Sequence, residues 1–270
     1  VHDAPLVIDE LNINASGLDM IAHDAACKVF DLTKDYPIRA CISTQIDTTK
    51  KHLLLTIHHI AFDEWSENIF IDELQSCYEA KQAQQSINLP ALRIQYKDFS
   101  MWQRDYLSTR LEGLMTYWQD KLADYTPLSF PIDYPRPPQL NYQGGSVCFE
   151  LQKQQTYQLR ALAEKEDVTL YTVLLSAFSI LLFRYTGQND FVIGTPVSNR
   201  QHPQLSGLIG FFVNTLILRI QLEPTTTLGE GIAAIQQELI DAQWHQDLPF
   251  EKLISELNIE RDASRHPLFQ

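Results

Sequence analysis

The chain has 270 residues, 44% of them hydrophobic and 20% charged, which is enough apolar content for sizeable cores and enough length for about two domains. Its formal net charge of −13 disfavours a dominant role in nucleic-acid binding, because phosphate groups need a basic surface. No apolar run reaches the roughly 20 residues of a membrane span. Because no such run is present, we expect no membrane partner. The four cysteines lack Cys-x-x-Cys spacing, so we expect a reduced, cytoplasmic chain.

The first segment predicts a hairpin followed by two helices. Residues 39–46 alternate apolar and polar side chains, which indicates a strand, and residues 51–60 form the expected partner strand after a turn. Apolar residues then recur every three to four positions, so a helix is expected to start after Asp63, its predicted N-cap. A second helix is predicted over residues 96–123, with Asp98 near its start. Core packing is expected for its apolar stripe: Phe99, Trp102, Tyr106, Leu114 and Trp118.

A proline-rich joint at residues 126–145 precedes the second segment, and its prolines prevent a long regular element. Beyond it the patterns predict strands at 146–151, 191–194 and 213–222 and helices at 155–166, 170–185 and 228–246. The helix at 170–185 is apolar nearly all round, so we expect it to be buried. Mixed strands and helices in both segments predict two α/β lobes, 1–125 and 146–270, joined by a linker at 126–145.

Two adjacent histidines, His58 and His59, stand out at the predicted end of the second strand. Neighbours on a strand point to opposite faces, so only one of them can face a cleft. A metal site is a weak interpretation, because no third ligand follows at a suitable spacing. Two interpretations stay open from the residues alone. Either both histidines are core or edge residues while Asp63 merely caps the helix, or one imidazole transfers protons in a cleft between the lobes.

The run His58-His59-Ile60-Ala61-Phe62-Asp63-Glu64 resembles the His-His-x-x-x-Asp-Gly signature of nonribosomal peptide synthetase condensation domains, which belong to the chloramphenicol acetyltransferase-like acyltransferase superfamily. Five further blocks of the chain resemble that family in the family's order. They are residues 96–104 (YKDFSMWQR), 193–200 (IGTPVSNR), 209–215 (IGFFVNT), 245–251 (HQDLPFE) and 261–270 (RDASRHPLFQ).

This resemblance implies an α/β fold with mixed α+β sheets, in which two chloramphenicol acetyltransferase-like lobes form a V around a tunnel, here truncated at both ends. It implies peptide-bond formation, in which an acceptor amine attacks a donor thioester. The implied partners are upstream and downstream peptidyl carrier domains and an adjacent adenylation domain. No cofactor or metal is implied for the domain itself, because the phosphopantetheine arms belong to the carriers.

The family's motif implies His59, His58 and Asp63 as the candidate catalytic set. The second histidine of the motif, His59 here, has the central role, either as a base for the amine or as a group that holds it and stabilises the charged intermediate. The motif's Asp is structural in relatives. A buried carboxylate needs a cationic partner, and we expect Arg200 to pair with Asp63 across the lobe boundary.

Supporting roles are expected for Ser66, Asn214 and Glu64. Asn214 is expected either to face the cleft and bind substrate or to satisfy neighbouring backbone groups. Glu64 replaces the motif's Gly, which adds bulk and negative charge and leaves the extent of activity open. Glu64 keeps open one alternative to condensation, a catalytically silent module that docks carrier proteins. A second alternative, independent of Glu64, is a relative that epimerises the tethered residue.

Overall fold

The computed structural model describes residues 6–14, 17–139, 144–257, 264 and 268–269. Internal contacts divide the chain into two compact units, one of Val1–Ser100 with Arg200–Phe212 and one of Met101–Asn199 with Val213–Gln270. This division differs from the expected lobe limits of 1–125, 126–145 and 146–270, because the segment 200–212 makes its contacts with the first hundred residues. The lobe limits themselves stay a prediction. Most of the last family-like block, 261–270, and residues 140–143 of the linker lie outside the described residues.

In the described part of the first unit, the sheet has three strands, β1 (Ile8–Ile13), β2 (Ile38–Gln45) and β3 (Lys51–Ile57), in that order. β2 and β3 pair antiparallel, with Ile38 opposite Ile57, which confirms the predicted hairpin. β1 pairs parallel to β2 and is followed by α1 (Gly17–Cys27). Sequence reasoning missed β1 because five of its six side chains are exposed, so it lacks the alternating pattern of a half-buried strand.

The strand prediction for residues 51–60 was wrong at its end. β3 stops at Ile57, and a 3-10 turn (His59–Ala61) precedes α2 (Glu64–Gln82). The turn forms because the His58 Nδ1 accepts a hydrogen bond from the N–H of Ile60 at 3.1 Å. Asp63 caps α2 as predicted, since its side chain accepts a hydrogen bond from the N–H of Ser66.

The helix α3 (Tyr96–Lys121) confirms the helix predicted at 96–123. Asp98 lies in its first turn and accepts a hydrogen bond from the N–H of Gln95 at 2.8 Å, which secures the helix start. Phe99 belongs to the small core of the first unit, where it packs with Leu205, Leu208 and Phe212. Of the two tryptophans expected in the core, Trp118 is 2% exposed and Trp102 is 40% exposed, so the second expectation was wrong.

Among its described residues, the second unit contains a two-stranded antiparallel sheet and four further helices. These elements are α4 (Lys153–Lys165), α5 (Leu170–Thr186), β4 (Asp190–Val197), β5 (Asn214–Gln221), α6 (Leu228–Trp244) and α7 (Phe250–Glu256). The core of this unit forms mainly around β4 and β5, where Phe191 and Leu218 are fully buried. All but α7 were predicted within a few residues of these bounds.

Two predictions for the second unit were wrong. Residues 146–151 form neither strand nor helix, and they are exposed. The predicted strand is missing because a strand needs a hydrogen-bonded neighbour, and no described strand pairs with these residues. The helix α5 is buried on one face only. Its buried face includes Ser176 and Ser179, whose hydroxyls donate to carbonyls four residues earlier, so polar groups are satisfied inside. Its other face exposes five large side chains: Tyr171, Leu174, Phe178, Leu181 and Tyr185.

Within the described part of the chain, no single helix has both the length and the apolar character needed to cross a bilayer, and only the bent pair α4–α5 passes that test jointly. All four cysteines are free thiols.

Candidate active site

The two histidines of the motif have different surroundings. His58 is partly buried; its Nδ1 is occupied by the N–H of Ile60, and its ring meets the ring of Phe30 edge to face at 5.7 Å. His59 is exposed, and no group among the described residues hydrogen-bonds to its imidazole. His59 is therefore the imidazole of the pair that can meet a substrate, although the predicted reason, alternation along a strand, does not apply to a 3-10 turn.

The His59 imidazole lines a pocket of about 240 Å³. Its other lining residues are Ile57, Phe62, Asp63, Glu64 and Glu67. The carboxylates of Glu64 and Glu67 are exposed in the first turn of α2, where the helix dipole favours negative charge. Neither forms an ion pair with a cation of the described chain, so the wall of the pocket beside His59 carries negative charge. Glu67 was not singled out from the sequence.

Asp63 is the centre of a buried polar network. Its side chain is 4% exposed, and its Oδ1 accepts hydrogen bonds from the Ser66 N–H (2.9 Å) and the Ser66 hydroxyl (2.6 Å). Arg200 Nη2 donates to both carboxylate oxygens, at 3.0 and 3.3 Å, and the N–H of Phe212 donates to Oδ2 at 3.0 Å. The expected Asp63–Arg200 ion pair is therefore present, and both partners lie in the first unit.

Arg200 extends this network to a loop. Its side chain is 1% exposed, and its Nη1 donates to the carbonyls of Leu205 (2.6 Å) and Leu208 (2.7 Å). The guanidinium also lies over the ring of Phe212, 4.0 Å from the centroid. Arg200 thus fixes the loop from residue 205 onward, while its Nε has no hydrogen-bond partner within the described chain.

Burial and hydrogen bonding act in opposite directions on the titration of this pair. Burial opposes ionisation of Asp63, but hydrogen bonds from Ser66 and Phe212 and the charge of Arg200 outweigh it, so the pKa of Asp63 lies below its ordinary value. Burial lowers the pKa of Arg200, and the Asp63 carboxylate partly restores it. At neutral pH the two side chains therefore form a charged pair that anchors the start of α2 to the segment 200–212.

Known proteins resemble this chain over most of its length. The family model described as Condensation domain matches residues 7–270. The chain belongs to the condensation-domain family. It is 41% identical over 259 residues to a component of the linear gramicidin synthase of Brevibacillus parabrevis, a match that covers 95% of this chain and 5% of that protein. The chain thus spans about a twentieth of the length of this curated relative.

Solved structures are similar over nearly the whole chain. The X-domain in its complex with OxyB from teicoplanin biosynthesis is 28% identical, with a TM-score of 0.90, and the match covers 100% of this chain and 61% of that one. The condensation domain of the monacolin K polyketide synthase MokA is 22% identical, with a TM-score of 0.82, covering 97% of this chain and 62% of that one. The fold is that of the condensation domains, the chloramphenicol acetyltransferase-like fold expected from the motif blocks.

Asn214 occupies a structural position in this condensation domain. It is buried at the start of β5 in the second unit, where its Nδ2 donates to the carbonyls of Gln246 (2.8 Å) and Leu248 (2.9 Å). Its Oδ1 accepts from the N–H groups of Thr215 (2.9 Å) and Phe250 (3.0 Å). All four hydrogen-bonding positions of the amide are used by backbone, which favours the second of the two roles expected for it.

The surroundings of His59 contain an aromatic residue rather than metal ligands. Among the described residues, no three His, Cys, Asp or Glu side chains come together in a way that could hold a metal ion. The residue beside His59 that sequence reasoning missed is Phe211, whose ring meets the imidazole edge to face at 5.2 Å. Phe211 lies in the block 209–215 that resembled the family, but the block alone did not indicate which of its side chains contacts the histidine.

Proposed function

We propose that this condensation domain joins two carrier-bound acyl groups through an amide bond, with His59 at the reacting centre. The observation that carries the proposal is the exposed His59 imidazole, which has no hydrogen bond from the described chain and lines a pocket at the start of α2. Asp63 and Ser66 have structural parts in the proposal, because their polar atoms are occupied by the network with Arg200. His58 is assigned to holding the turn.

In the proposed reaction the acceptor's α-amine nitrogen attacks the carbonyl carbon of the donor thioester. A C–N bond forms, the tetrahedral intermediate collapses, the C–S bond breaks, and the proton lost by the amine ends on the released thiol. An imidazole can accept a proton near neutral pH. Holding two reactants together can lower a barrier by ~7–11 kcal/mol, whereas a general base typically contributes about 10²–10⁴-fold in rate, so proximity of the two thioesters is the larger effect in this proposal.

The partners follow from the same proposal. The substrates arrive as thioesters on the phosphopantetheine arms of an upstream and a downstream carrier domain, with an adenylation domain adjacent in the synthetase. The condensation domain binds the arms only through these carriers. The tunnel between two lobes and the cytoplasmic location remain predictions from the sequence.

The test is reconstitution with the native full-length protein and carriers loaded with an L- or D-configured donor and with an acceptor. Intact-mass spectrometry of the acceptor carrier is expected to show the donor acyl group transferred as an amide. Carrier binding without any transfer would support a docking module instead; the similar X-domain forms a complex with OxyB. Inversion of the tethered residue without transfer would support the epimerisation alternative.

The pH dependence of this transfer separates the two roles of His59. A general base predicts that the rate falls on the acid side of the pH profile, because a base must be unprotonated to accept the proton of the amine. A holding role predicts no fall in that range beyond the loss of free amine, which is measured separately with the acceptor alone.

A further inference from the structure

The His59 imidazole needs a group that restricts its rotation. It is exposed and accepts no hydrogen bond from the described residues, so nothing polar fixes its two side-chain torsions. Its ring contact is with Phe211, with centroids 5.2 Å apart and planes at 84°. Edge-to-face contacts of this kind have a preferred geometry. The orientation of the imidazole therefore depends on where the Phe211 ring lies.

The backbone at Phe211 is fixed on both sides of its Cα atom. The N–H of the preceding residue donates to Ser66 Oγ at 3.0 Å, and the N–H of the following residue donates to Asp63 Oδ2 at 3.0 Å. The carbonyl of Phe211 itself accepts a hydrogen bond from the Tyr96 hydroxyl at 2.7 Å. Asp63 follows His59 by four residues, so the chain that carries the imidazole and the chain that carries Phe211 share an anchor.

Tyr96 is itself held rigidly for this hydrogen bond. Its ring packs edge to face on Phe212, with centroids 5.0 Å apart, and lies 6.0 Å from the ring of Phe99. A Cβ atom placed on Gly210 would lie 2.3 Å from Tyr96 Cδ2, so the ring is in close contact with backbone. Burial, together with the charge of Asp63, raises the pKa of the Tyr96 phenol, which keeps it protonated and able to donate.

The Tyr96 hydroxyl makes one of several hydrogen bonds that hold the segment 205–212, so removing the hydroxyl is expected to affect only the backbone near Phe211. Arg200 binds the carbonyls of Leu205 and Leu208, and Trp65 Nε1 donates to the carbonyl of Ser206 at 2.9 Å. These bonds do not involve Tyr96. Removing its hydroxyl while keeping its ring therefore leaves the loop anchored and removes the one hydrogen bond on the carbonyl of Phe211 that Tyr96 supplies.

We infer that Tyr96 and Phe211 are positioning residues of this domain: the Tyr96 hydroxyl fixes the backbone of Phe211, and the Phe211 ring fixes the His59 imidazole. The inference rests on the proposed function for its effect on turnover. Neither residue reaches the reacting atoms in the proposed reaction, and both act through the imidazole.

A double-mutant cycle tests the inference in the native full-length protein with loaded carriers. Tyr96→Phe removes only the hydroxyl, and Phe211→Leu keeps an apolar side chain but removes the ring edge. Each single change is expected to lower kcat about tenfold while KM stays within about twofold, since small misplacements of a reacting group are costly. Because the two residues act in series, Tyr96→Phe is expected to add little to Phe211→Leu.

The matched control is Tyr106→Phe on the same helix. It also removes a partly buried hydroxyl, one that donates to Asp247 at 2.8 Å in the second unit, and it is expected to leave kcat unchanged. Equal effects of Tyr96→Phe and Tyr106→Phe would overturn the inference. Fully additive losses in the double variant would also overturn it, because independent structural damage adds.

A chemical readout separates failure of this inference from failure of the proposed function. Carbethoxylation of His59, followed by fragment mass spectrometry, is expected to change in rate by at least about twofold in both variants, while the rate at His23 in α1 stays constant. If the parent protein forms no amide, the proposed function fails, and the His59 modification rates decide the positioning alone. Unchanged rates at His59 in both variants contradict it.

Discussion

Replacing Asp63 by asparagine probes the buried ion pair with the least change in shape. The variant keeps the volume of the side chain but removes its charge and turns one acceptor oxygen into a donor. That donor then faces Arg200 and, in one orientation, the N–H of Phe212, which donates to Asp63 at 3.0 Å. The Arg200 guanidinium, on a side chain 1% exposed, is left without its carboxylate. The expected consequence is a loss of stability in the first unit.

The magnitude follows from the burial of the pair. Removing one partner of a buried ion pair costs about 3–5 kcal/mol. Arg200 retains its bonds to two backbone carbonyls, so we expect the lower end, about 3 kcal/mol, which is roughly a hundredfold increase in local opening. Hydrogen–deuterium exchange of peptides from the start of α2 and from residues 205–212 measures this change in the free energy of local opening. A change below about 1 kcal/mol would refute the reasoning.

Asp35→Asn is the matched control, because it breaks an Asp–Arg pair in the same unit whose side chains are more exposed. Asp35 and Arg39 are 2.9 Å apart, with side-chain exposures of 41% and 24%. Solvent screening makes such pairs weak, so exchange in the segment 205–212 is expected to be unaffected.

The same pair predicts a dependence of stability on pH. The pKa of Asp63 is lowered by folding, so its contribution is fully present above the unfolded value of about 3.9 and is lost as the pH falls through the folded value. The difference in exchange between the parent chain and Asp63→Asn is therefore expected to close in acid, at pH values below about 4. A difference that stays constant down to pH 2 contradicts this assignment.

Four further substitutions, one of them a control, test separate parts of the structure. Gly210→Ala places a Cβ atom 2.3 Å from the Tyr96 ring and is expected to lower the free energy of unfolding, measured by thermal denaturation, by about 1–3 kcal/mol. The control Gly113→Ala lies in α3 with open space around it and is expected to raise the free energy of unfolding by up to about 1 kcal/mol. Equal effects of the two substitutions would argue against close packing at Gly210. Asn214→Ala removes four hydrogen bonds to backbone groups, two of them buried and two part-buried, and is expected to lower stability by about 2–4 kcal/mol, with a loss under 1 kcal/mol as the contrary result. Glu64→Gly removes negative charge from the His59 pocket and is expected to lower the ratio of kcat/KM for acceptors with cationic side chains to kcat/KM for neutral ones by about two- to fivefold; an unchanged ratio would exclude a role of Glu64 in acceptor selection.

Local sequence patterns predicted most of the secondary structure. The hairpin of β2 and β3, the Asp63 cap and the bounds of α3 follow from alternation, capping chemistry and helical spacing within one stretch of chain. The failures have physical reasons. β1 is mostly exposed, so its sequence lacks the alternation of apolar and polar residues that predicts a strand. The sequence of α5 is apolar on nearly every face, which predicted full burial, but one face is exposed to solvent and the buried face includes small hydroxyl residues.

The site was predictable only as far as the motif blocks reached. The His59 position and the Asp63–Arg200 pair follow from the blocks, and the structure contains that pair. The contacts that organise the site join residues far apart in sequence, such as Ser66 with Gly210 and Tyr96 with Phe211, separated by 144 and 115 positions. A single sequence has no local signal for such contacts, since each depends on how the segment 200–212 folds back.

The most direct measurement is the single-turnover rate of amide formation by His59→Ala, compared with the parent protein and with His58→Ala, in the native full-length protein with loaded donor and acceptor carriers. We expect a loss of at least about a hundredfold for His59→Ala. For His58→Ala we expect a smaller loss of rate, accompanied by lower stability, because that ring holds the turn. Amide formation by His59→Ala at the parental rate would contradict the assignment of the reacting centre to His59.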